Sequence, residues 1–533
     1  MIALAVVSVV LLVVRIHAAH QVGFGDSEAL YASYAAHPQP AYLDHPGLVG
    51  LVARAIGEGA VPSPFRTHVV TSIVALFVPW IVVLVARAAG AEKKHALTAG
   101  LVVALVPEIA VGLFALTPDL ILAPAWLAAL GCAIEGLRAT PGTMRSAGFL
   151  LGAGLAAGVA SAAKVSGLLL LVALIVTYVM VLRTAGPAAR AARSIWPWAG
   201  LAAGVIVFIP VVLYEARVGF PMLRHRFVDT QAGAGLALTN VGALAGGQLL
   251  YLSPVIAWLA FIVARDLVRQ RNADATSRVL FFSFAIPIVP LVLLCVWSPM
   301  AEPHWIAPAL LALPIHAARR VVGSRRLVTI AAGVAGAFTA LAHLWVLVPS
   351  SAKLLPASTD PKVDIASELY GWPTVLDGVR EQMASAATPA DPEGREVVVV
   401  GPHWTVCAQL QAGLPGIRVG CATPIPDDFD RWLPRDEWRK AQDVLFVTDN
   451  RFGGDGAEQL PAHVRTTQGR IRIMRGGRVA RVFELYMYSR RASSELDDYD
   501  STTRGAIVFM PASRMSARSS SSPGFGVVRS FSP

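Results

Sequence analysis

The densest group of chemically competent side chains in this 533-residue sequence lies near its start. Asp26, Ser27, Glu28, Tyr31, Tyr34, His37, Tyr42, Asp44 and His45 follow one another closely, and Pro46 and Gly47 come next. Asp26 and Glu28 stand 18 and 16 residues before Asp44. Carboxylates beside a membrane surface can deprotonate a hydroxyl or hold a divalent metal. The same residues also make an ordinary solvated loop that turns before a proline. Thr117-Pro118-Asp119 sets a carboxylate at a helix start, for chemistry or for capping. Lys164, beside Ser166, interrupts an apolar stretch. An ionisable group at membrane depth is a functional candidate, and snorkelling is the competing account. Arg224, His225 and Arg226 form a basic cluster that would suit a phosphate or a plain surface patch. Glu302 and His304 precede Trp305, a candidate interface anchor. Arg15 could face a phosphate or snorkel.

The elements that must position these groups are set by composition. The chain is 55% hydrophobic and only 15% charged, against about 25% charged in soluble proteins. Its mean hydropathy is +0.57. A hydrocarbon core about 30 Å thick takes roughly 20 apolar helical residues to cross. Such runs recur, so the pattern exceeds a lone signal peptide or anchor. The first, Ile2 to Val14 and extendable past Arg15, is short, which leaves room for a true start upstream. The rest read as 67–88, 96–116, 119–137, 147–163, 165–182, 195–214, 246–264, 279–297, 304–318 and 327–348. Only Lys164 separates 147–163 from 165–182. The fold class expected is a polytopic α-helical membrane protein with about eleven transmembrane helices and a small C-terminal α/β domain.

Loop charge predicts orientation, because cytoplasmic loops are enriched in Lys and Arg. One set of loops carries Arg87, Lys93, Lys94, Arg138, Arg145, Arg183, Arg190, Arg193, Arg265, Arg269, Arg271, Arg278, Arg319, Arg320, Arg325 and Arg326. The other holds little beyond Arg54, Arg66, Lys164, Arg217, Arg224 and Arg226. The N-terminus is therefore expected in the cytoplasm. Loop 19–65, the turns 117–118, 215–245 and 298–303, and everything after 349 are expected outside the cytoplasmic membrane. The net charge of +10 reports this bias, and no nucleic-acid partner is needed to explain it.

From about Pro349 the chain turns polar. Short β-like runs at Val397–Val400, Arg418–Cys421, Val444–Val447, Ile471–Met474 and Val479–Tyr488 alternate with helical stretches such as Ile365–Ala387, as in an α/β domain. The expected organisation is a membrane domain over 1–349, an extracytoplasmic domain over 350–490 and a Ser- and Arg-rich tail over 491–533 without fixed structure. Cys132 and Cys295 fall in apolar runs and suit small buried hydrophobes. Cys407 and Cys421 fall in the external domain, where oxidation is favoured. A strand, a helix and a neighbouring strand could bring their Cα atoms within the roughly 4.4–6.8 Å a disulfide needs. Two unpaired buried thiols are the alternative.

The order of these segments resembles the bacterial membrane glycosyltransferases of the dolichyl-phosphate-mannose protein mannosyltransferase type (glycosyltransferase family 39). Those belong to the GT-C fold class and are related to the aminoarabinose transferases. Asp26-Ser27-Glu28-Ala29-Leu30-Tyr31 is similar to the family's Asp-Glu-Ala-Tyr-Tyr. Tyr42-Leu43-Asp44-His45-Pro46-Gly47-Leu48-Val49 is similar to its Tyr-Phe-Asp-His-Pro-Pro-Leu-Val. Further similar stretches are Thr117-Pro118-Asp119, Ala163-Lys164-Val165-Ser166, Gly246-Gly247-Gln248-Leu249-Leu250 with Ser253-Pro254, and Glu302-Pro303-His304-Trp305 with Ala307-Pro308. Gly371-Trp372 and Asp428-Phe429-Asp430-Arg431-Trp432 extend the likeness to about residue 490. Two departures stand out. Counting back from Asp44, Glu28 falls on the family's Glu and Ser27 on its Asp, with Asp26 one residue early. Gly47 replaces the second Pro.

The resemblance implies sugar transfer, with inversion, from a polyprenyl-phosphate donor in the outer leaflet to a lipid, glycan or protein hydroxyl. In that scheme Asp26 or Glu28 takes the acceptor's proton. Lys164, Arg224, Arg226 or Arg15 stabilises the departing phosphate. Asp44 and His45 orient the acceptor or bind a metal, and Tyr31, Asp119, Glu302 and His304 are further site candidates. The ligand set is too loose to name a cofactor, though a divalent metal would be compatible. A multi-pass transporter or lipid flippase would share the spans and intramembrane charges. Against it, there is no paired half-chain repeat, and the acidic groups cluster in one outer loop. A catalytically silent scaffold is the third reading, suggested by the interrupted Asp-Glu pair.

Overall fold

The computed structural model describes residues 1–356, 359–360, 364–386 and 396–491. The tail read as unstructured lies outside them, apart from its first residue. Among the described residues, seven helices are long and apolar enough to cross a membrane: Ile2–Gln21, Pro64–Ala88, Asp119–Arg138, Met144–Ala163, Ile195–Val218, Ala275–Trp297 and Arg325–Leu347. Two further pairs pass the same test only together. Lys93–Leu105 and Pro107–Phe114 are bent by 69°, and Leu238–Tyr251 and Pro254–Arg269 by 103°. This gives seven to nine spans where eleven unbroken runs were expected. The difference is local. Gly167–Leu182 is helical but has only 16 residues. The run 304–318 is split among Pro303–Ile306, Ala307–Leu310 and Ala312–Arg320.

Proline and capping chemistry set the breaks. Pro107 and Pro254 each begin the second helix of a bent pair, where a residue without an N–H costs no intrahelical bond. Ser63, Thr143, Asp274 and Ser324 accept from a backbone N–H in the first turn of their helices. Helices Met144–Ala163 and Ile195–Val218 approach through Gly154, Gly158, Gly200 and Gly204. A Cβ on Gly154 would lie 2.0 Å from the Gly200 carbonyl carbon. Small residues four apart let backbones meet where lipid offers no hydrophobic drive.

Outside the bundle, a five-stranded sheet runs in the order β2-β1-β3-β5-β4. Its strands are β1 (Val397–Gly401), β2 (Val419–Cys421), β3 (Asp443–Asp449), β4 (His463–Arg475) and β5 (Arg478–Arg490). β1 pairs in parallel with β2 and β3, and β5 is antiparallel to both β3 and β4. The β4–β5 hairpin is longer than its β-like runs suggested. It turns at Gly476-Gly477, both with positive φ, the geometry of a tight hairpin. The expected helix 365–387 begins as the 3-10 turn Ile365–Leu369 and restarts at Trp372. Gly371 between them has φ +86°, and a Cβ there would strike Ile473. Cys407, on helix Trp404–Gly413, is joined to Cys421 with a Cα–Cα distance of 5.9 Å. Cys132 and Cys295 are free.

The sheet domain is seated on the membrane domain through helix Asp26–Ser33. Gln409 donates to the Phe24 carbonyl at 2.8 Å, and Ser33 donates to the Ala408 carbonyl at 3.2 Å. Gly23 N–H donates to the Leu369 carbonyl at 2.8 Å. Arg475, 1% exposed, pairs with Asp364 and donates to the Trp345 carbonyl. The hairpin end is thereby fixed to the last span.

Candidate active site

Five stretches far apart in sequence meet beside one end of the spans. Asp44 lies in the loop between helices Asp26–Ser33 and Leu48–Ile56. Its carboxylate lies 3.2 Å from Arg226 and 4.0 Å from His225. Arg226 also donates to the Asp44 carbonyl from Nε and Nη2, at 3.2 and 3.1 Å. Its guanidinium lies 5.4 Å from the Trp305 ring centre. Lys164 ends helix Met144–Ala163 and meets Asp119 at 2.7 Å. Asp119 in turn lies 3.9 Å from His304, and His304 3.0 Å from Glu302.

His45 and Tyr31 link these ion pairs. Their rings lie 5.6 Å apart. Burial first, then the charges of Arg226, Lys164 and His304, hold the His45 pKa well below the usual value, so its ring is neutral. Burial raises Tyr31, and nearby Asp44 adds to this. The loop is held by local chemistry. Tyr42 stacks on Tyr34 at 3.5 Å and donates to the His37 carbonyl at 2.8 Å. Gly47 donates to the Pro40 carbonyl at 2.7 Å. A Cβ at Gly47 would sit 2.0 Å from the Gln39 carbonyl oxygen. The departure from proline at this position therefore has a steric reason, and proline would lack the N–H as well.

Of the twelve candidate residues, the structure gathers Tyr31, Asp44, His45, Asp119, Lys164, Arg226, Glu302 and His304. The other four have different partners. Asp26 is 1% exposed. It pairs with Arg451 at 2.5 Å, lies 3.7 Å from Arg481 and accepts from Gln409 at 3.4 Å. Glu28 is 4% exposed. It meets His68 at 2.9 Å and accepts from Leu116 N–H at 2.8 Å and Gly25 N–H at 3.3 Å. Both carboxylates have their oxygens engaged by these partners. The partners of Asp26 and Glu28 are thus other groups than the expected Lys164 and Arg226. Arg15 donates to the Ala110 and Ile109 carbonyls at 2.9 and 2.8 Å and so caps a bent helix end. Arg224 points away, with a 73% exposed side chain 3.3 Å from Asp229.

Sequence reasoning missed the partners His68, Arg451 and Arg481, whose roles arise only from long-range packing. It also missed Glu108, at the bend after Pro107. Among the described residues no group of three or more His, Cys, Asp or Glu side chains is placed to share a metal ion.

A cavity of about 1390 Å³ opens from this cluster into the bundle. Asp119, His304, Glu108 and Tyr251 line one end and Lys94, His95 and Arg325 the other. The lining between is mostly apolar, from Val102, Val106, Leu259 and Leu311 among others. Both bent helix pairs border it. Broken helices at membrane depth are tolerated where they face a cavity.

Residues 44–214 match the family model described as dolichyl-phosphate-mannose-protein mannosyltransferase. Comparison with curated protein sequences finds no match. Two crystal structures of ArnT from Cupriavidus metallidurans, one bound to undecaprenyl phosphate and one in the apo state, are similar in fold. Each has a TM-score of 0.58 at 16% identity, covering 91% of this chain and 97% of that one. The archaeal oligosaccharyltransferase AglB from Archaeoglobus fulgidus, in complex with an inhibitory peptide and a dolichol-phosphate, gives a TM-score of 0.48 at 12% identity, covering 87% and 73%. The ArnT likeness extends over nearly the whole of both chains, and the family match includes Asp44, Asp119 and Lys164; the chain shares the fold of the ArnT structures.

Proposed function

We propose that this protein transfers a sugar from a polyprenyl-phosphate donor to an acceptor hydroxyl on the outer face of the cytoplasmic membrane. The observation that carries the reading is the junction of an apolar cavity with a mixed charge cluster. Lys164 and Arg226 supply positive charge for the donor phosphate, and the cavity suits an isoprenoid chain. The undecaprenyl phosphate bound in the ArnT crystal structure supports this choice of lipid. The cavity also reaches Lys94 and Arg325 at its other end, as a transport path would. Its mostly apolar lining favours a hydrocarbon over a hydrophilic cargo.

Asp44 replaces Asp26 and Glu28 as general base. Its side chain keeps 32% exposure, so an acceptor hydroxyl can reach it. The acceptor oxygen attacks the anomeric carbon as its proton passes to Asp44, and general-base assistance of this kind contributes about 10²–10⁴-fold. The bond from that carbon to the phosphate oxygen breaks, its electron pair leaves with the lipid phosphate, and the centre inverts. Lys164, oriented by Asp119, and Arg226, held by Asp44, stabilise the leaving charge. The N-terminus is cytoplasmic and the sheet domain external. The Lys/Arg bias supports this orientation, as does the disulfide, which suits an oxidising compartment.

The test is mass spectrometry of envelope lipids and glycans from cells carrying the wild type, no protein, or Asp44→Asn at equal membrane abundance. One sugar modification should be missing from the last two. Its persistence in D44N cells would overturn the assignment of the base. Identical glycans and lipids with and without the protein would overturn transfer.

A further inference from the structure

One contact reaches the cluster from the far end of the chain. Asp428 opens helix Asp428–Trp432 and is 3% exposed. Its two carboxyl oxygens accept from Leu43 N–H at 3.2 and 3.1 Å. Tyr34 donates its hydroxyl to the same group at 3.3 Å. Arg431 donates to the Tyr214 hydroxyl at 2.7 Å, and Tyr214 donates to Gln39 at 2.6 Å. Trp432 stacks on His37 at 4.2 Å. The helix therefore holds the loop at His37, Gln39 and Leu43. Leu43 is bonded directly to Asp44, whose carbonyl and carboxylate both hold Arg226. Turning the Leu43 peptide would move those two acceptors together.

We infer that Asp428 of the sheet domain is a positioning residue, which through the Leu43 N–H sets Asp44 and Arg226 in place for the donor phosphate. The inference rests on the proposed reading of Asp44 and Arg226. Burial, with Asp44 adding to it, pushes the Asp428 carboxyl up to about 8. Asparagine keeps a side-chain oxygen that can accept from the Leu43 N–H. An alanine offers the buried N–H no acceptor, so the peptide must move to find one.

The probe is undecaprenyl phosphate, titrated against the full-length protein in lipid nanodiscs. Asp428→Ala should weaken its binding about tenfold, and Asp428→Asn should restore it to within about threefold of wild type. Hydrogen exchange in peptide 37–46 should speed up in D428A and return to the wild-type rate in D428N. If D428A does not accumulate, Asp428→Ser, too short to reach Leu43, takes its place. Wild-type binding by D428A or D428S overturns the positioning role, and so does D428N binding as weakly as they do. Arg226→Gln separates the premise. Unchanged binding in R226Q overturns the functional reading and the inference with it. Weakened R226Q beside a wild-type D428A overturns the inference alone.

Discussion

Asp26→Asn distinguishes a structural from a chemical role for the first acidic pair. Asp26, Asp449, Arg451, Arg481 and Glu368 form one buried group. Arg451 meets Asp26 at 2.5 Å and Asp449 at 2.8 Å. Unit charges 4 Å apart interact by about 4 kcal/mol at an effective dielectric near 20, and breaking a buried pair costs about 3–5 kcal/mol. Two effects reduce that figure. Arg451 keeps Asp449, and Glu368 can ionise in compensation. Burial and then Asp26 itself push the Glu368 carboxyl up to about 8. The net loss should be about 2–3 kcal/mol. Pairing D26N with Arg451→Gln in a double-mutant cycle should give a coupling of about 1–2 kcal/mol. The pH dependence follows from the sign of the Glu368 shift. A carboxyl raised on folding stabilises fully below its unfolded value, and that contribution is lost as pH rises through about 8. Removing the Asp26 charge lowers the folded pKa, so the loss of stability between about pH 4.5 and 8 should flatten. Urea unfolding followed by tryptophan fluorescence includes the domain, since four of the twelve tryptophans, Trp372, Trp404, Trp432 and Trp438, lie in it. Wild-type stability in D26N together with abolished sugar transfer would refute this account and return Asp26 to the chemistry.

Gly47→Ala should lower stability by about 1–3 kcal/mol through overpacking and weaken undecaprenyl phosphate binding, because the new Cβ would collide with the Gln39 and Pro40 backbone. Gly47→Pro should be worse, since it also loses the bond to the Pro40 carbonyl. Equal binding in both variants and wild type would show that this turn does not set the site. Replacing Cys407 and Cys421 by serine should destabilise the sheet domain by about 3 kcal/mol in the chain-entropy model. In the non-reduced, denatured wild type, thiol labelling should mark Cys132 and Cys295 only, and modification of Cys407 or Cys421 would exclude the bridge.

Much of this architecture is decided by the sequence. A run of some twenty apolar residues cannot stay in water and must bury its own backbone hydrogen bonds in lipid, so the spans are legible without a fold. The β-like runs at 397–400, 418–421 and 444–447 fall on β1, β2 and β3 because buried parallel strands need continuous apolar side chains. Asp44, Asp119, Lys164, Arg226 and His304 are also legible, as charges at the ends of apolar runs. What the sequence leaves open is which partner each of several carboxylates takes. Asp26, Glu28 and Asp44 are the same chemistry on the same loop. Tertiary structure separates them by assigning partners from distant segments: Arg451 and Arg481 to Asp26, His68 and the Leu116 amide to Glu28, and Arg226 to a still half-exposed Asp44. The bends at Pro107 and Pro254 are likewise tertiary. Proline permits a break, but the cavity against which each bent helix packs decides that a continuous apolar run becomes two helices. The hold of Asp428 on Leu43 spans 385 residues, a distance over which only the folded chain brings a carboxylate to an amide.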